Sequence, residues 1–370
     1  MFKKLVLILF FFTGCAVPMK FHHLQKVFNE NKTPGYALRK IENGVITFEE
    51  SGGVRSNLFN EPVTAKDIWH IGSCTKSMTA FLIGILIDEK KLKFEESIGQ
   101  VLSHPMSPEV KKLSIVNLLT HRSGLHDVTE LSDQTSWLNS FKSKESTQKL
   151  RDRLVSTILL DKVKFSKDSQ FDYTNSNYLI LGAIIEKIEN KPWEEVLEEK
   201  IFNKLGMDKC GFGPSASRGV TPPDQPWGHR VENEKLISIQ PLLNEDENTY
   251  SDNPASLGPA GTVHCNFDSW SLFLKEMLLS SQGHSTLLSP RTAALLFQPY
   301  KDHIAYGGWG AIERDWARGL TYTMVGSNTL NYALFVIAPN RNMVLMGATN
   351  SGADESLKTL SEQIKKQVQP

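Results

Sequence analysis

A serine and a lysine stand three residues apart in the segment IWHIGSCTKSM, residues 68–78. Residues at this spacing share one face of a helix, so the side chains of Ser73 and Lys76 are predicted to be neighbours. The first turn of a helix favours developing negative charge, and apolar burial lowers the pKa of a lysine. A lysine of this kind can accept a serine proton, which predicts a nucleophile, Ser73, and its base, Lys76. The alternative is an ordinary helix cap followed by a solvated charge.

The same spacing occurs a second time, at Ser146 and Lys149 in ESTQKL. This copy lies in a polar, charged helical pattern without the apolar surroundings of the first, and we predict a solvated helix face there. Ser-x-x-Lys is therefore weak evidence by itself. A nucleophile also needs a proton carrier and donors for an oxyanion.

Two further segments supply candidates for these partners. Tyr173 and Asn175 are two apart in FDYTNSNYLILG, so in an extended or turn segment they point the same way, directly before a predicted helix. The alternative is that Asn175 or Ser176 only caps that helix. In TYTMVGSNT, Gly326 lies in a predicted strand, where a glycine permits close approach of a ligand to the backbone.

The motifs SCTK, YTN and MVGS occur in this order, and the family-like text around them covers residues 34–352. In this combination the chain resembles the penicillin-recognising serine hydrolases. It is most similar to the branch of class C β-lactamases, with their D-alanyl-D-alanine carboxypeptidase and esterase relatives. The resemblance implies a β-lactamase-like fold and acyl transfer through a serine, on a small-molecule substrate and without a metal or organic cofactor.

The resemblance also implies a role for each motif residue. Ser73 is the acylated nucleophile, and Lys76 and Tyr173 share the proton transfers. Asn175 orients Lys76 and the substrate. The backbone N–H groups of Ser73 and Ser327 form the oxyanion hole.

The third motif departs from the family pattern. It normally begins with Lys or His, followed by Thr, Asn or Ser and then Gly, whereas this chain has Met324, Val325 and Gly326. Met and Val cannot attract a substrate carboxylate, but the backbone role of Gly326 and Ser327 needs no side chain. We therefore predict a small neutral ester, lactone or amide as substrate. The alternatives are a β-lactamase or carboxypeptidase acting on cell-wall-type substrates, and a non-catalytic cell-envelope protein that keeps the pocket for binding.

Two other clusters receive no catalytic role. His121, His126 and Asp127 in THRSGLHD fit no common zinc spacing, so no metal site is predicted, and His121 is expected to be a hydrogen-bonded loop residue. The triplet SDN at residues 251–253 is used by other branches of the family. Pro254 follows it, and YTN already fills that slot ahead of a helix, so the triplet is set aside.

The N-terminus is predicted to be an export signal. Two lysines precede an apolar run at residues 5–12 that is too short to span a bilayer, and the Gly-Cys pair ending at Cys15 resembles a bacterial lipobox. These features predict a signal peptide at 1–14 and a lipid anchor on Cys15, followed by a linker at 15–33. The protein would then face the periplasm from the cell envelope, on the outer membrane if the host has one. The alternative is a plain signal peptide with an incidental cysteine.

Composition narrows the function classes further. Lys plus Arg and Asp plus Glu both number 41, so the net charge is zero and no basic stripe favours nucleic acid. This balance suits a small neutral or zwitterionic substrate. If Cys15 carries lipid, then Cys74, Cys210 and Cys265 remain, which allows one disulfide that the sequence does not assign.

Both ends of the chain carry strand signals. Alternation around Asn43-Gly44 predicts one hairpin, and two apolar strands that turn at Pro339-Asn340 predict another. The last helix follows, with Ser351 or Asp354 available as its cap.

These patterns predict an α/β protein of the α+β type, in which an antiparallel sheet from both chain ends is flanked by helices and lies beside a mostly helical part. The sheet is expected from residues 34–72 and 255–350, and the helical part from 80–254. A C-terminal helix within 353–370 is expected to pack on the sheet, and residues 222–259 are expected to be an irregular connection.

Overall fold

The computed structural model describes residues 19–244 and 250–368. The predicted signal peptide at 1–14 and the predicted lipidation residue Cys15 lie outside the described residues. Of the helices that are described, none is both long and apolar enough to cross a membrane.

The described residues form strands near both ends of the chain and a mostly helical middle. The strands are β1 (Gly35–Glu42), β2 (Val45–Gly53), β3 (Ile68–His70), β4 (Cys210–Phe212), β5 (Gly228–Glu232), β6 (Lys235–Ile239), β7 (Val263–Asn266), β8 (Gly310–Arg314), β9 (Gly319–Ser327), β10 (Tyr332–Ala338) and β11 (Met343–Thr349). The α-helices are α1 (Met19–Glu30), α2 (Thr75–Asp88), α3 (Ile98–Val101), α4 (Ile115–Leu119), α5 (Thr135–Lys142), α6 (Thr147–Leu160), α7 (Asn175–Glu189), α8 (Trp193–Leu197), α9 (Asn203–Leu205), α10 (Gly258–Gly261), α11 (Phe267–Ser281), α12 (Pro290–Phe297) and α13 (Asp354–Lys366).

The main sheet has six antiparallel strands in the order β2-β1-β11-β10-β9-β8. Both predicted hairpins are confirmed, β1–β2 through Asn43-Gly44 and β10–β11 through the turn that contains Pro339-Asn340. The strands of this sheet come only from residues 35–53 and 310–349, a smaller part of the chain than the predicted 34–72 and 255–350. This arrangement confirms the α+β class and the sheet built from both chain ends.

The sheet separates two apolar clusters, since alternate residues of a strand face opposite sides. On one side, Leu38 and Leu345 pack with Leu360 of α13. On the other side the sheet packs on the helical part, whose central helix α2 is buried continuously from Thr75 to Leu86. A helix that is buried all round is typical of the centre of a large core.

A second sheet has three strands in the order β3-β7-β4, and β3 ends three residues before the predicted nucleophile, Ser73. Cys210 of β4 pairs directly with Cys265 of β7, and the two form a disulfide. This assigns the one disulfide that the cysteine count allows. Cys74 is the remaining cysteine within the described residues, and it is a buried free thiol.

The structure differs from the sequence predictions at three further places. The predicted linker contains α1, whose Phe28 is fully buried and stacks on Tyr36 with ring centroids 4.1 Å apart. The predicted irregular connection contains the β5–β6 hairpin, whose turn residues Asn233 and Glu234 adopt φ values of 48° and 64°. An Asn-Gly signal is absent from that turn, which explains why the pattern was missed. The third difference is that α13 begins after Ala353 with no side-chain cap.

Candidate active site

Ser73 lies in a tight turn between two buried elements. Strand β3 ends at His70, a single turn of 3₁₀-helix follows over Gly72–Cys74, and α2 begins at Thr75. No side chain of this turn makes a capping hydrogen bond, so the helix-cap alternative for Ser73 does not apply. Gly72 has a φ of +50°, a backbone conformation that favours glycine.

Lys76 is fully buried one turn into α2. Its Nζ lies 3.2 Å from Ser73 Oγ, and it donates to Asn175 Oδ1 at 2.8 Å and to the Ala260 carbonyl at 2.6 Å. Burial lowers the pKa of Lys76 to about 7, although the charge of Asp127 opposes this shift. A neutral amine that donates its two N–H groups to Asn175 and Ala260 has its lone pair left for the proton of Ser73.

Tyr173 lies on the other side of the serine. Its hydroxyl is 2.8 Å from Ser73 Oγ, and its ring centroid is 4.9 Å from Lys76 Nζ. The residue as a whole is 44% exposed, while protein atoms around its hydroxyl group bury that group. This burial raises the pKa of Tyr173 above its ordinary value. The phenol is therefore neutral near pH 7 and can donate a proton.

The segment that carries Tyr173 and Asn175 is held by residues that the sequence did not single out for this role. Thr174 caps α7 by accepting from the Ser176 N–H, so neither Asn175 nor Ser176 is the cap. Asp127 Oδ2 accepts from the Asn175 N–H at 2.7 Å, and His121 Nδ1 accepts from the Thr174 N–H at 3.3 Å.

His121 therefore is the hydrogen-bonded loop residue that was expected, and Asp127 is a positioning residue. The His121 ring also lies against the Tyr173 ring, with centroids 4.5 Å apart. The sequence offered one indication of this role, because a carboxylate such as that of Asp127 is favourable at a helix N-terminus. The sequence does not show that the loop before α5, which carries Asp127, contacts the start of α7.

The backbone of β9 touches the nucleophile turn. A Cβ built on Gly326 would lie 2.0 Å from the Ile71 carbonyl oxygen and 2.8 Å from Ser73 N. A Cβ built on Gly72 would lie 2.4 Å from Ser327 N. Only glycines allow this approach, which brings the backbone nitrogens of Ser73 and Ser327 to the same end of the cleft.

The same end of β9 is open along its outer edge. Strand β8 pairs with β9 only as far as Thr323, and within the described residues no strand pairs with that edge from Met324 to Ser327. A substrate can therefore lie beside Ser73 against an unpaired strand edge.

Met324 and Val325 face opposite sides of the sheet. Met324 is partly buried against the core that contains α2, on the side of the nucleophile. Val325 is 45% exposed and lines a cavity of about 250 Å³ with Trp316 and Ile364 on the α13 side. Of the two residues, Met324 is thus the one that occupies the position where the family pattern has a cation.

The structure therefore brings together the predicted residues of three distant segments. Ser73, Lys76, Tyr173 and Asn175 form one hydrogen-bonded group. Gly326 and the backbone of Ser327 border that group.

Comparisons with known proteins identify the family of the chain. The family model described as Beta-lactamase matches residues 21–369. Penicillin-binding protein 4 of Amycolatopsis lactamdurans is 24% identical over 364 residues, which cover 93% of this chain and 88% of that protein. Teichoic acid D-alanine hydrolase of Staphylococcus aureus is 24% identical over 202 residues, which cover 51% of this chain and 47% of that protein. The chain thus aligns with about half the length of some curated relatives.

Solved structures share the fold. The octameric penicillin-binding protein homologue from Pyrococcus abyssi has a TM-score of 0.74 and 19% identity, covering 95% of this chain and 78% of that chain. At this identity the likeness establishes the fold, and the family match over nearly the whole chain establishes the family. The chain therefore belongs to the β-lactamase family of serine hydrolases.

Proposed function

We propose that the protein hydrolyses a small neutral ester or amide through an acyl-enzyme on Ser73. The observation that carries this proposal is the position of Ser73 Oγ, 3.2 Å from Lys76 Nζ and 2.8 Å from the Tyr173 hydroxyl. A serine between a buried amine and a phenol has a base to take its proton and a donor to supply one to the leaving group.

The directions of the two pKa shifts support a separate role for each residue. Lys76, with a pKa lowered to about 7 by burial, is substantially neutral at pH 7 and can act as a base. Tyr173 has a raised pKa and keeps its proton, so it serves as the acid. Groups whose environments push their pKa values apart in this way suit an acid and base pair.

In the proposed acylation step, Ser73 Oγ attacks the carbonyl carbon of the substrate while its proton passes to Lys76. The carbonyl oxygen becomes an anion, which the backbone N–H groups of Ser73 and Ser327 stabilise. Collapse of this intermediate breaks the bond to the leaving alcohol or amine, which takes the Tyr173 proton, and the proton held by Lys76 replaces it. Water then attacks the acyl carbon while its proton passes to the same pair. The bond between the acyl group and Ser73 Oγ breaks as Ser73 Oγ takes a proton back from the pair, which releases the acid.

The uncharged third motif supports a neutral substrate. A cation at position 324 would hold a substrate carboxylate by a charge-assisted hydrogen bond, and a methionine there makes none. The relatives do not select one substrate, since penicillin-binding protein and teichoic acid D-alanine hydrolase are names for different activities.

Mass spectrometry after incubation with a fluorophosphonate, and separately with benzylpenicillin, tests this proposal. We expect a stoichiometric phosphonyl adduct on Ser73, no adduct on the Ser73→Ala variant, and slow acylation by the penicillin. Efficient penicillin turnover would instead favour the β-lactamase or carboxypeptidase alternative. Absence of any adduct would favour the non-catalytic binding protein.

We also propose that the protein is exported and anchored in the cell envelope by lipid on Cys15. The lipobox-like N-terminus supports this, and so does the Cys210–Cys265 disulfide, because disulfides persist mainly in oxidising compartments. Metabolic labelling with a fatty acid in a bacterial host should mark the wild type, and Cys15→Ser should lose the label. An unlabelled, soluble wild-type protein would contradict the anchor.

A further inference from the structure

Two buried titratable residues next to the site have no part in the proposed mechanism. His70 is the last residue of β3, three positions before Ser73, and it is 2% exposed. Asp252 is 3% exposed and belongs to the SDN triplet that the sequence analysis set aside. They belong to segments far apart in the chain, yet the two side chains meet.

His70 forms a hydrogen bond with the turn that carries Ser73. Its Nδ1 accepts from the Gly72 N–H at 3.1 Å, which requires the neutral ring to carry its proton on Nε2. Nε2 lies 2.8 Å from Asp252 Oδ1. The ring is turned so that this N–H does not point straight at the oxygen, which makes the contact a close electrostatic one rather than a well-aligned hydrogen bond.

Asp252 also contacts the segment that carries Ser327, the second proposed donor to the oxyanion. The same Oδ1 accepts from Asn328 Nδ2 at 2.9 Å, and Asn328 directly follows Ser327. The Asn328 amide oxygen in turn accepts from the Leu330 N–H and from Asn331 Nδ2, which fixes its orientation. One carboxylate oxygen therefore bridges the turn before Ser73 and the residue after Ser327.

We propose that His70 and Asp252 are positioning residues that hold the backbone N–H groups of Ser73 and Ser327 at the spacing an oxyanion requires. The inference rests on the proposed function. The close approach of Gly72 and Gly326 to opposing backbone atoms limits how near the two segments come. The bridge through His70, Asp252 and Asn328 keeps them from moving apart. Donors that miss the oxyanion by a fraction of an ångström lose much of their effect.

Stability alone does not account for this bridge. Removing a carboxylate from water is costly unless both of its oxygens are well hydrogen-bonded, and apolar residues of similar volume would fill the same space without that cost. One oxygen of Asp252, Oδ2, has no hydrogen-bond partner among the described residues, so the carboxylate is incompletely compensated. A costly, under-satisfied pair beside the nucleophile is better explained by a positioning role than by folding.

The test compares four variants. His70→Phe keeps a ring but removes the contacts with the Gly72 N–H and with Asp252. His70→Asn offers an amide oxygen to the Gly72 N–H but no longer contacts Asp252. Asp252→Asn keeps the side-chain shape without the charge. His104→Asn is the control, because His104 Nε2 also lies 2.8 Å from an aspartate oxygen, that of Asp152, but in an exposed pair outside the site.

Each variant is titrated with a fluorophosphonate, so that rates are expressed per active site and partly unfolded protein does not count. We then measure kcat and KM for a short neutral ester, and the inhibition constant of phenylboronic acid. A boronate forms a tetrahedral adduct on serine with an oxygen in the oxyanion position, so its affinity reports on the oxyanion hole.

We expect His70→Phe and Asp252→Asn to lower kcat about tenfold or more, to weaken boronate binding by a similar factor, and to leave KM within about twofold. His70→Asn should retain more activity than His70→Phe, and His104→Asn should match the wild type. Unchanged kcat per titrated site would overturn the inference. So would a fall in kcat with unchanged boronate affinity, or an equal loss in the control. A wild type that no fluorophosphonate labels would instead mean that the proposed function itself fails.

Discussion

Ser73 with Lys76 and Ser146 with Lys149 share one spacing but differ in nearly every physical respect. Ser146 is an exposed N-cap whose Oγ accepts from the Lys149 N–H at 3.4 Å, and Lys149 is exposed. This confirms the solvated helix face expected for the second copy. Ser73 caps nothing, and its Oγ instead meets a fully buried amine and a phenol.

The difference between the copies teaches that three-residue spacing only makes a contact available. The chemistry comes from apolar burial, which lowers the pKa of Lys76 to about 7. It also needs backbone contact at Gly72 and Gly326, which allows the two N–H donors to converge. The second copy has an ordinary capping geometry and lies on a water-exposed helix.

Exchanging each serine for alanine should produce opposite results. Ser73→Ala is expected to lower ester hydrolysis about a thousandfold or more, with unchanged stability, because it removes the nucleophile and no cap. Ser146→Ala should leave hydrolysis unchanged and cost about 1 kcal/mol of unfolding free energy, because it removes a helix cap. Initial rates and urea unfolding of both variants measure this. Residual turnover by Ser73→Ala near the wild-type rate would contradict the nucleophile assignment.

Exchanging the lysines sharpens the same contrast. Lys76→Ala and Tyr173→Phe should each lower kcat about a hundredfold, and the double variant should lose far less than the product, because the two residues act as a unit. Lys149→Ala is the control and should turn over ester like the wild type. Independent, multiplicative losses would show that Lys76 and Tyr173 serve separate steps.

The two faces of β9 offer a smaller but more specific test. Met324→His places a group that is cationic when protonated on the nucleophile side. We expect acylation by benzylpenicillin to rise about ten- to a hundredfold, since a charge-assisted hydrogen bond contributes about 1.5–3 kcal/mol. Val325→His puts the same group on the α13 side and should change little. Second-order acylation rates for penicillin and a neutral ester measure this. Equal gains in both variants, or efficient penicillin turnover by the wild type, would refute the substrate argument.

The smallest expected effect concerns Asp127. Its negative charge favours the protonated form of Lys76 and so works against the lowering of that pKa by burial. Asp127→Asn should therefore lower the pKa of Lys76 further and move the pH–rate profile of ester hydrolysis toward acid. Asp133→Asn, on an exposed loop, is the control and should leave the profile in place. A shift of the Asp127→Asn profile toward alkaline pH would contradict the electrostatic account.

Local pattern was sufficient to predict the catalytic segments and the two outer hairpins. Ser73 with Lys76, and Tyr173 with Asn175, are each fixed by spacing over a few residues, and Asn43-Gly44 specifies a turn by its own backbone preference. The order of the three motifs then supplied the family.

Contacts between distant segments could not be predicted in the same way. The pairing of Cys210 with Cys265 depends on the register of β4 against β7, which no local pattern encodes. Asp127 accepts from the first N–H of a helix 48 residues away, and Asp252 meets His70 only because β3 and the 251–253 segment pack together. For such groups the sequence gives residue types, while tertiary packing decides the partners.

The pH dependence of Ser73 phosphonylation tests the central claim most directly, because it follows the reaction of the serine without needing the natural substrate. Below a pKa of about 7 the Lys76 amine is protonated and cannot accept the serine proton, and above it the amine is neutral. The labelling rate of the wild type should therefore rise with pH through a midpoint near 7, and Lys76→Ala should be slow and lack that midpoint. A wild-type profile that is flat through neutral pH, or a midpoint that persists in Lys76→Ala, would contradict the account.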